Sequence, residues 1–399
     1  MIFLFITSGL FLGWTLGAND ASNVFGSAVG SRMVSFTRAA VIASVFVILG
    51  AVLQGGGAAD TLGRLGTVNA MGGAFTVALA AGLTVYFMTR AGLPVSTTQA
   101  IVGAIIGWNF FTNNAVDGHA LTQIVTTWIT GPVLGALFAY GLYHLVKITR
   151  RKITVHLITY ESWLRRGLMT VGAFGAYSLG ANNIANVMGV FVPSIPLEPV
   201  DFGIFTLSGA QQLFFLGAIA IAAGVLTYSK KVMQTVGTNL LELSSEAAFV
   251  VVLSQALVLF IFSSSALSGF MVKIGLPPIP LVPVSSTQVV VGSLLGIGLY
   301  KGVSNINMKV LGSIASGWVT TPVAAGVLAF LLLFFVKNIF GIDVGHSVNP
   351  PVTNGNAVNL AVIIRYSIPA LLVITAVYLL YLVLSENKKT ELMNKKYYE

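Results

Sequence analysis

The chain has 399 residues, 56% of them apolar and only 8% charged, with no cysteine. Soluble domains carry about 25% charged residues, so the composition describes an integral membrane protein and excludes disulfides, iron–sulfur clusters and thiolate metal sites. The net charge of +9 falls mostly in connecting segments and the tail, a pattern of membrane orientation rather than of nucleic-acid binding.

Apolar stretches that could cross a bilayer run at 2–29, 37–58, 68–88, 93–110 and 121–147, then at 167–192, 207–228, 247–270, 279–299 and 309–339, with a last one at 363–385. Each is near the roughly 20 residues that a spanning helix needs. The first, which begins MIFLFITSGLFLGW, has no basic leader and no clear cleavage site, so it reads as a retained helix rather than a signal peptide. Long apolar runs indicate helices rather than a barrel. The expected class is an all-α integral membrane protein of about 11–12 transmembrane segments, with broken helices and re-entrant hairpins.

The chain repeats itself. TLGANDASNVFG pairs with SLGANNIANVMG at an offset of 163, AFTVALAAGLTVYF (74–87) with AFVVVLSQALVLFI (248–261) at 174, and PVSTTQAIVGAIIG (94–107) with PVSSTQVVVGSLLG (283–296) at 189. Trp128 and Pro132 match Trp318 and Pro322 at 190. The order is kept and the offset only grows, as insertions in the second half produce. The expected layout is a first repeat at 1–147, a basic cytoplasmic loop at 148–166, a second repeat at 167–339, an extracytoplasmic loop at 340–362, an extra helix at 363–385 and a polar tail at 386–399. Five spans per half would invert the second repeat relative to the first. Lys147, Arg150, Arg151, Lys152, Arg165 and Arg166 face a single acid, Glu161, around the central loop, which places it in the cytoplasm. The N-terminus is then expected outside and the C-terminus inside.

Two motifs carry chemistry. In GAND, Asp20 costs about 2.5–3.5 kcal/mol at a bilayer centre, so its presence needs a purpose. Gly17 permits a backbone that leaves the helix, and unwound helices near the midplane build ion and substrate sites in transporters. An unwound turn is therefore expected at Gly17 and, by repetition, in the second signature. Asp20 and the amide oxygens of Asn19 and Asn23, with Asn182, Asn183 and Asn186 in the second half, are hard oxygen donors that suit Na+ better than a soft metal. In the second motif, Pro94 and Pro283 precede runs of hydroxyls and an amide: Ser96, Thr97, Thr98 and Gln99, then Ser285, Ser286, Thr287 and Gln288. A helix start with free N–H groups favours an anion, and hydroxyl donors extend that cradle. N-capping alone would need one hydroxyl. Arg90 is the basic residue nearest a motif and has no counterpart in the second half. Neutral donors plus bound cations fit a carrier that must also release its anion. His119, His144, His156 and His346 are scattered and form no ligand spacing. No nucleophile–base pair lies in the spans, so an enzyme is not expected. A channel would be told apart by single-channel currents.

GANDASN (17–23) and GANNIAN (180–186), with PVSTTQ, PVSSTQ and GSAVGS, resemble the inorganic phosphate transporter family of sodium- or proton-coupled phosphate permeases. The resemblance runs from residue 1 to about 339. It implies inverted repeats, a homodimer in the cell membrane, and uptake of phosphate with a cation and without a cofactor. Asn183 stands where the family's second signature commonly has Asp, and Ser22 replaces an Ala. The expected reading is a Na+-coupled phosphate importer. Asp20, Asn19, Asn23, Asn182, Asn183 and Asn186 are assigned mainly to Na+. The anion cradle is assigned to Ser96, Thr97, Thr98, Gln99, Ser285, Ser286, Thr287 and Gln288, with Asp20 against the phosphate. Proton coupling, a metal–phosphate substrate and sulfate transport stay open as alternatives.

Overall fold

The computed structural model describes residues 2–30, 33–90, 95–152, 155–201, 203, 206–230, 233, 244–302 and 308–345. The expected span at 363–385, the tail and the loop beyond residue 345 lie outside them, as does Pro94. The first half forms α1 (Ile2–Gly30), α2 (Phe36–Gln54), α3 (Gly56–Leu65), α4 (Met71–Arg90), α5 (Thr97–Thr112) and α6 (Gly118–Lys152). The second forms α7 (Leu157–Met188), α8 (Gly209–Thr227), α9 (Ser245–Ile261), α10 (Ser265–Lys273), α11 (Ser286–Lys301) and α12 (Met308–Asn338). A two-residue strand pair, β1 (Val200–Asp201) and β2 (Thr206–Leu207), precedes α8.

All ten expected apolar stretches before residue 340 fall on helices, but they are not ten full crossings. Among the described residues, six helices are long and apolar enough to span a membrane, or seven if α9 and α10, bent by 67°, count as one. Helix α7 has 32 residues, but charge at one end and three Asn at the other make it less apolar. Helices α5 and α11 have 16 residues each, about 24 Å at 1.5 Å per residue, which is short of a hydrocarbon core of about 30 Å. Each starts at a buried serine in the protein interior, so each is half a crossing.

The growing offset has a structural origin. It rises from 163 to 174 between the first and second matches, where the second half holds the β1–β2 hairpin, and from 174 to 189 across 262–282, the segment that holds α10. The basic stretch 148–166 is mostly helix rather than loop. Helix α6 runs on to Lys152 with Arg150, Arg151 and Lys152 in its last turn, where cations suit the helix dipole. Beside it Glu246, at the start of α9, accepts from Lys147 Nζ at 2.6 Å and Tyr160 Oη at 2.9 Å, and pairs with Arg150 at 3.0 Å. That buried carboxylate ties α6, α7 and α9 together at one end of the bundle.

The expected unwinding at Gly17 is not present. Helices α1 and α7 run unbroken through Gly17 and Gly180. These glycines serve helix contact instead. A Cβ on Gly17 would overlap the Ile221 carbonyl of α8, and one on Gly180 the Val47 carbonyl of α2. In lipid, helix association depends on small residues that let backbones meet. The same exchange recurs elsewhere. Gly50 meets Tyr177 as Gly224 meets Trp14; Gly103 and Gly107 of α5 meet Pro322 and Gly326 of α12, as Gly292 and Gly296 of α11 meet Pro132 and Ala136 of α6. Every one of these pairs joins the two halves, and α1 packs on α8, α2 on α7, α5 on α12 and α6 on α11. The repeats are thus interlocked, each half lending its short helix to the long helix of the other.

Because the atoms facing Gly292 are backbone, a larger side chain there has no room to settle. Gly292→Val is expected to cost at least about 1–3 kcal/mol by overpacking and to lower the thermal midpoint of the purified protein. Gly141→Val, facing open space, should leave it within a degree or two.

Candidate functional site

The interlocked packing brings the two signature helices and the two half-helices to one place. Asn19, Asp20 and Asn23 on α1 and Asn182, Asn183 and Asn186 on α7 meet residues 96–99 and 285–288 at the starts of α5 and α11. None of these fourteen residues is more than 9% exposed, and Asp20 is 2% exposed. The structure therefore brings together every residue that the sequence singled out.

Asp20 is held by neutral donors. Its Oδ1 accepts from Asn19 Nδ2 at 2.9 Å, and its Oδ2 from Ser286 Oγ at 3.0 Å and Asn183 Nδ2 at 3.4 Å. Among the described residues no Lys, Arg or His lies within ion-pair distance of it. A buried charge without a partner of opposite sign is expensive.

Around this carboxylate the hydrogen bonds repeat across the halves. Asn23 Nδ2 donates to Thr287 Oγ1 at 3.3 Å and Asn186 Nδ2 to Thr98 Oγ1 at 2.9 Å. Thr287 Oγ1 donates in turn to the Val95 carbonyl at 3.2 Å, and Thr98 Oγ1 to the Val284 carbonyl at 3.3 Å. Each half-helix start is thereby stitched to the other half-helix and to a signature helix. Asn19 adds a bond to the Val95 carbonyl at 3.2 Å. Asn182 grips the other hairpin tip with both polar atoms, donating to the Val282 carbonyl at 2.9 Å and accepting from the Val284 N–H at 2.7 Å. Both Asn182 atoms are thus committed to positioning, which a reading of side-chain motifs alone had no means to find, because the partners are backbone groups of valines.

Ser96 and Ser285 act as N-caps, accepting from Gln99 N at 3.2 Å and Gln288 N at 3.3 Å. Capping uses a lone pair and leaves each hydroxyl hydrogen available. Four buried oxygens at the site have no partner: Thr97 Oγ1, Asn186 Oδ1, and the equivalent pair Gln99 Oε1 and Gln288 Oε1. An unpaired buried polar atom costs about 1–3 kcal/mol. The three amide oxygens can only accept, so a cation or a protonated ligand is what would satisfy them. An open crevice lined by Trp14, Thr15, Ala18, Tyr86, Thr89, Arg90 and Tyr228 lies against the turns of α1 that precede Asp20. Arg90, noted in the sequence only for its nearness to the motif, thus faces an approach to α1.

Asn182→Ala would leave the buried Val284 N–H without its acceptor, at about 1–3 kcal/mol. Hydrogen exchange of the 282–288 amides should quicken markedly, while the equivalent 96–99 segment changes little.

A sequence profile of the phosphate transporter family matches residues 16–329 and 279–396. Relatives that carry the name phosphate permease include one from Thermococcus kodakarensis, 27% identical over 82% of this chain and 95% of its own length. Another, from Methanocaldococcus jannaschii, is 28% identical over 81% of this chain and 93% of its own. Among solved structures, a sodium-dependent phosphate transporter matches with a TM-score of 0.66 at 22% identity, covering 85% of this chain and 99% of that one, which shows a shared fold. With its signature helices, its half-helices and this match along most of its length, the chain belongs to the phosphate transporter family.

Proposed function

We propose that the chain imports inorganic phosphate into the cytoplasm by symport with Na+. The observation that carries the reading is one buried carboxylate, without a cationic side chain, set among acceptor-only oxygens and against the starts of two half-helices. The N–H groups at the starts of α5 and α11, with the hydroxyls of Ser96, Thr97 and Ser285, receive the anion, because helix N-termini favour negative charge. Thr98, Ser286 and Thr287, whose hydroxyls donate within the site, and Gln99 and Gln288, capped by the serines, shape that cradle. Asp20, with oxygens of Asn19, Asn23, Asn183 and Asn186, receives Na+ beside it; Asn182 holds the tip that completes the cradle. Empty, the pocket carries one negative charge and repels phosphate. Loaded with Na+, it turns attractive, and this couples the two fluxes. Several Na+ per divalent phosphate make the cycle electrogenic, at about 2.3 kcal/mol per net charge per 100 mV.

The solved neighbour is sodium-dependent by name, which agrees with this reading. Unpaired amide oxygens favour Na+ over a proton, since a bare proton needs a titratable acceptor. Asp20 favours phosphate over sulfate, since monohydrogen phosphate has a proton to donate to it. The layout that goes with the reading is two inverted repeats, basic segment and C-terminus in the cytoplasm, N-terminus outside, and a homodimer in the cell membrane. Opening to each side in turn then amounts to moving the interlocked half-helices against α1 and α7.

Asp20→Asn should abolish Na+-driven phosphate uptake in proteoliposomes, down to the level of protein-free vesicles, while expression and the elution profile stay as in wild type. Uptake at the wild-type rate by that variant would contradict the assignment.

A further inference from the structure

Residues 20 and 183 occupy equivalent places in the two repeats, yet one is Asp and the other Asn. They meet across the centre of the site, where Asn183 Nδ2 lies 3.4 Å from Asp20 Oδ2. The orientation of this amide follows from charge: turned round, its oxygen would face the carboxylate. Asn183 Oδ1 is already used, accepting from Asn186 Nδ2 at 3.4 Å. A second observation marks the same place. Ser286 donates to Asp20 at 3.0 Å. Its repeat equivalent is Thr97, whose Oγ1 is buried with no partner. The hydroxyl that would serve a carboxylate at position 183 is present, and the carboxylate is not.

We propose that Asn183 sets the ion count of this carrier, supplying an amide donor where a second carboxylate would demand a further cation, so that each phosphate travels with one monovalent cation fewer. The proposal rests on the Na+-coupled reading above. Two carboxylates at this distance repel strongly in a buried site, so a second one raises the demand for a neutralising cation. With Asn183, the empty site keeps a single negative charge already met by three neutral donors. The asymmetry therefore lightens the ion load of the cycle and lowers the concentrating power that a given Na+ gradient confers on phosphate.

The test uses the full chain in proteoliposomes, clamped by potassium and valinomycin, with fixed Na+ and phosphate gradients. The voltage at which net phosphate flux vanishes gives the cations per phosphate. Asn183→Asp should raise that ratio by one over wild type, and the steepness with which Na+ promotes phosphate binding to the purified variant should rise with it. A ratio and steepness equal to wild type would overturn the proposal. The exchanged variant, Asp20→Asn with Asn183→Asp, keeps one carboxylate and should show the wild-type ratio; it decides the matter if the single variant does not fold, and a higher ratio there would also overturn the proposal. Failure of the underlying reading looks different: wild type itself would show no Na+-driven uptake and no effect of Na+ on phosphate binding.

Discussion

The Asp20 carboxylate, enclosed by protein and touched, among the described residues, by uncharged donors alone, is the constraint that organises this molecule. A permanent cation beside it would neutralise the site for good and leave nothing to couple. Neutral amides and hydroxyls stabilise the charge enough for the fold to keep it, but not enough to make a cation superfluous. The surrounding half-helix starts then face a site whose charge depends on what it holds. On the proposed reading, substrate attraction is in this way conditional on the driving ion.

The interlocked packing explains how such a site is assembled. Short helices α5 and α11 each lie along the long helix of the opposite half, with backbone against backbone at Gly103, Gly107, Gly292 and Gly296. Their starts are tied across the centre by the paired bonds of Thr98 and Thr287 to the Val284 and Val95 carbonyls. A movement of one half-helix is therefore transmitted to the other half through its glycine seam and through these threonines. Glu246 and its partners fasten α6, α7 and α9 at one end.

Much of this was legible in the residues. The costly polar insert at Asp20, made again around Asn183, and the hydroxyl runs after Pro94 and Pro283 single out fourteen residues, and the structure brings all fourteen together. The repeat matches, with their growing offset, anticipated extra residues in the second half, where the β1–β2 segment and α10 lie. The role of Gly17 is not legible in the sequence, because a glycine that unwinds a helix and one that admits a neighbouring backbone are the same letter; the position of Ile221 separates them. Likewise, Asn182 and the two capping serines spend their polar atoms on backbone groups, and the sequence does not record which backbone lies opposite. The exchange of partners between the halves depends on contacts between residues far apart in the chain, such as Gly17 with Ile221, and no local pattern encodes it.

The central claim is that an external cation completes a site centred on Asp20 and draws phosphate with it. The most direct measurement is uptake of labelled phosphate by the purified wild-type chain in proteoliposomes, with an inward Na+ gradient, then a proton gradient of equal size, and sulfate as competitor. The account predicts accumulation driven by Na+, faster with the interior negative and indifferent to sulfate. Accumulation driven by protons alone, or block by sulfate at concentrations equal to phosphate, would contradict it.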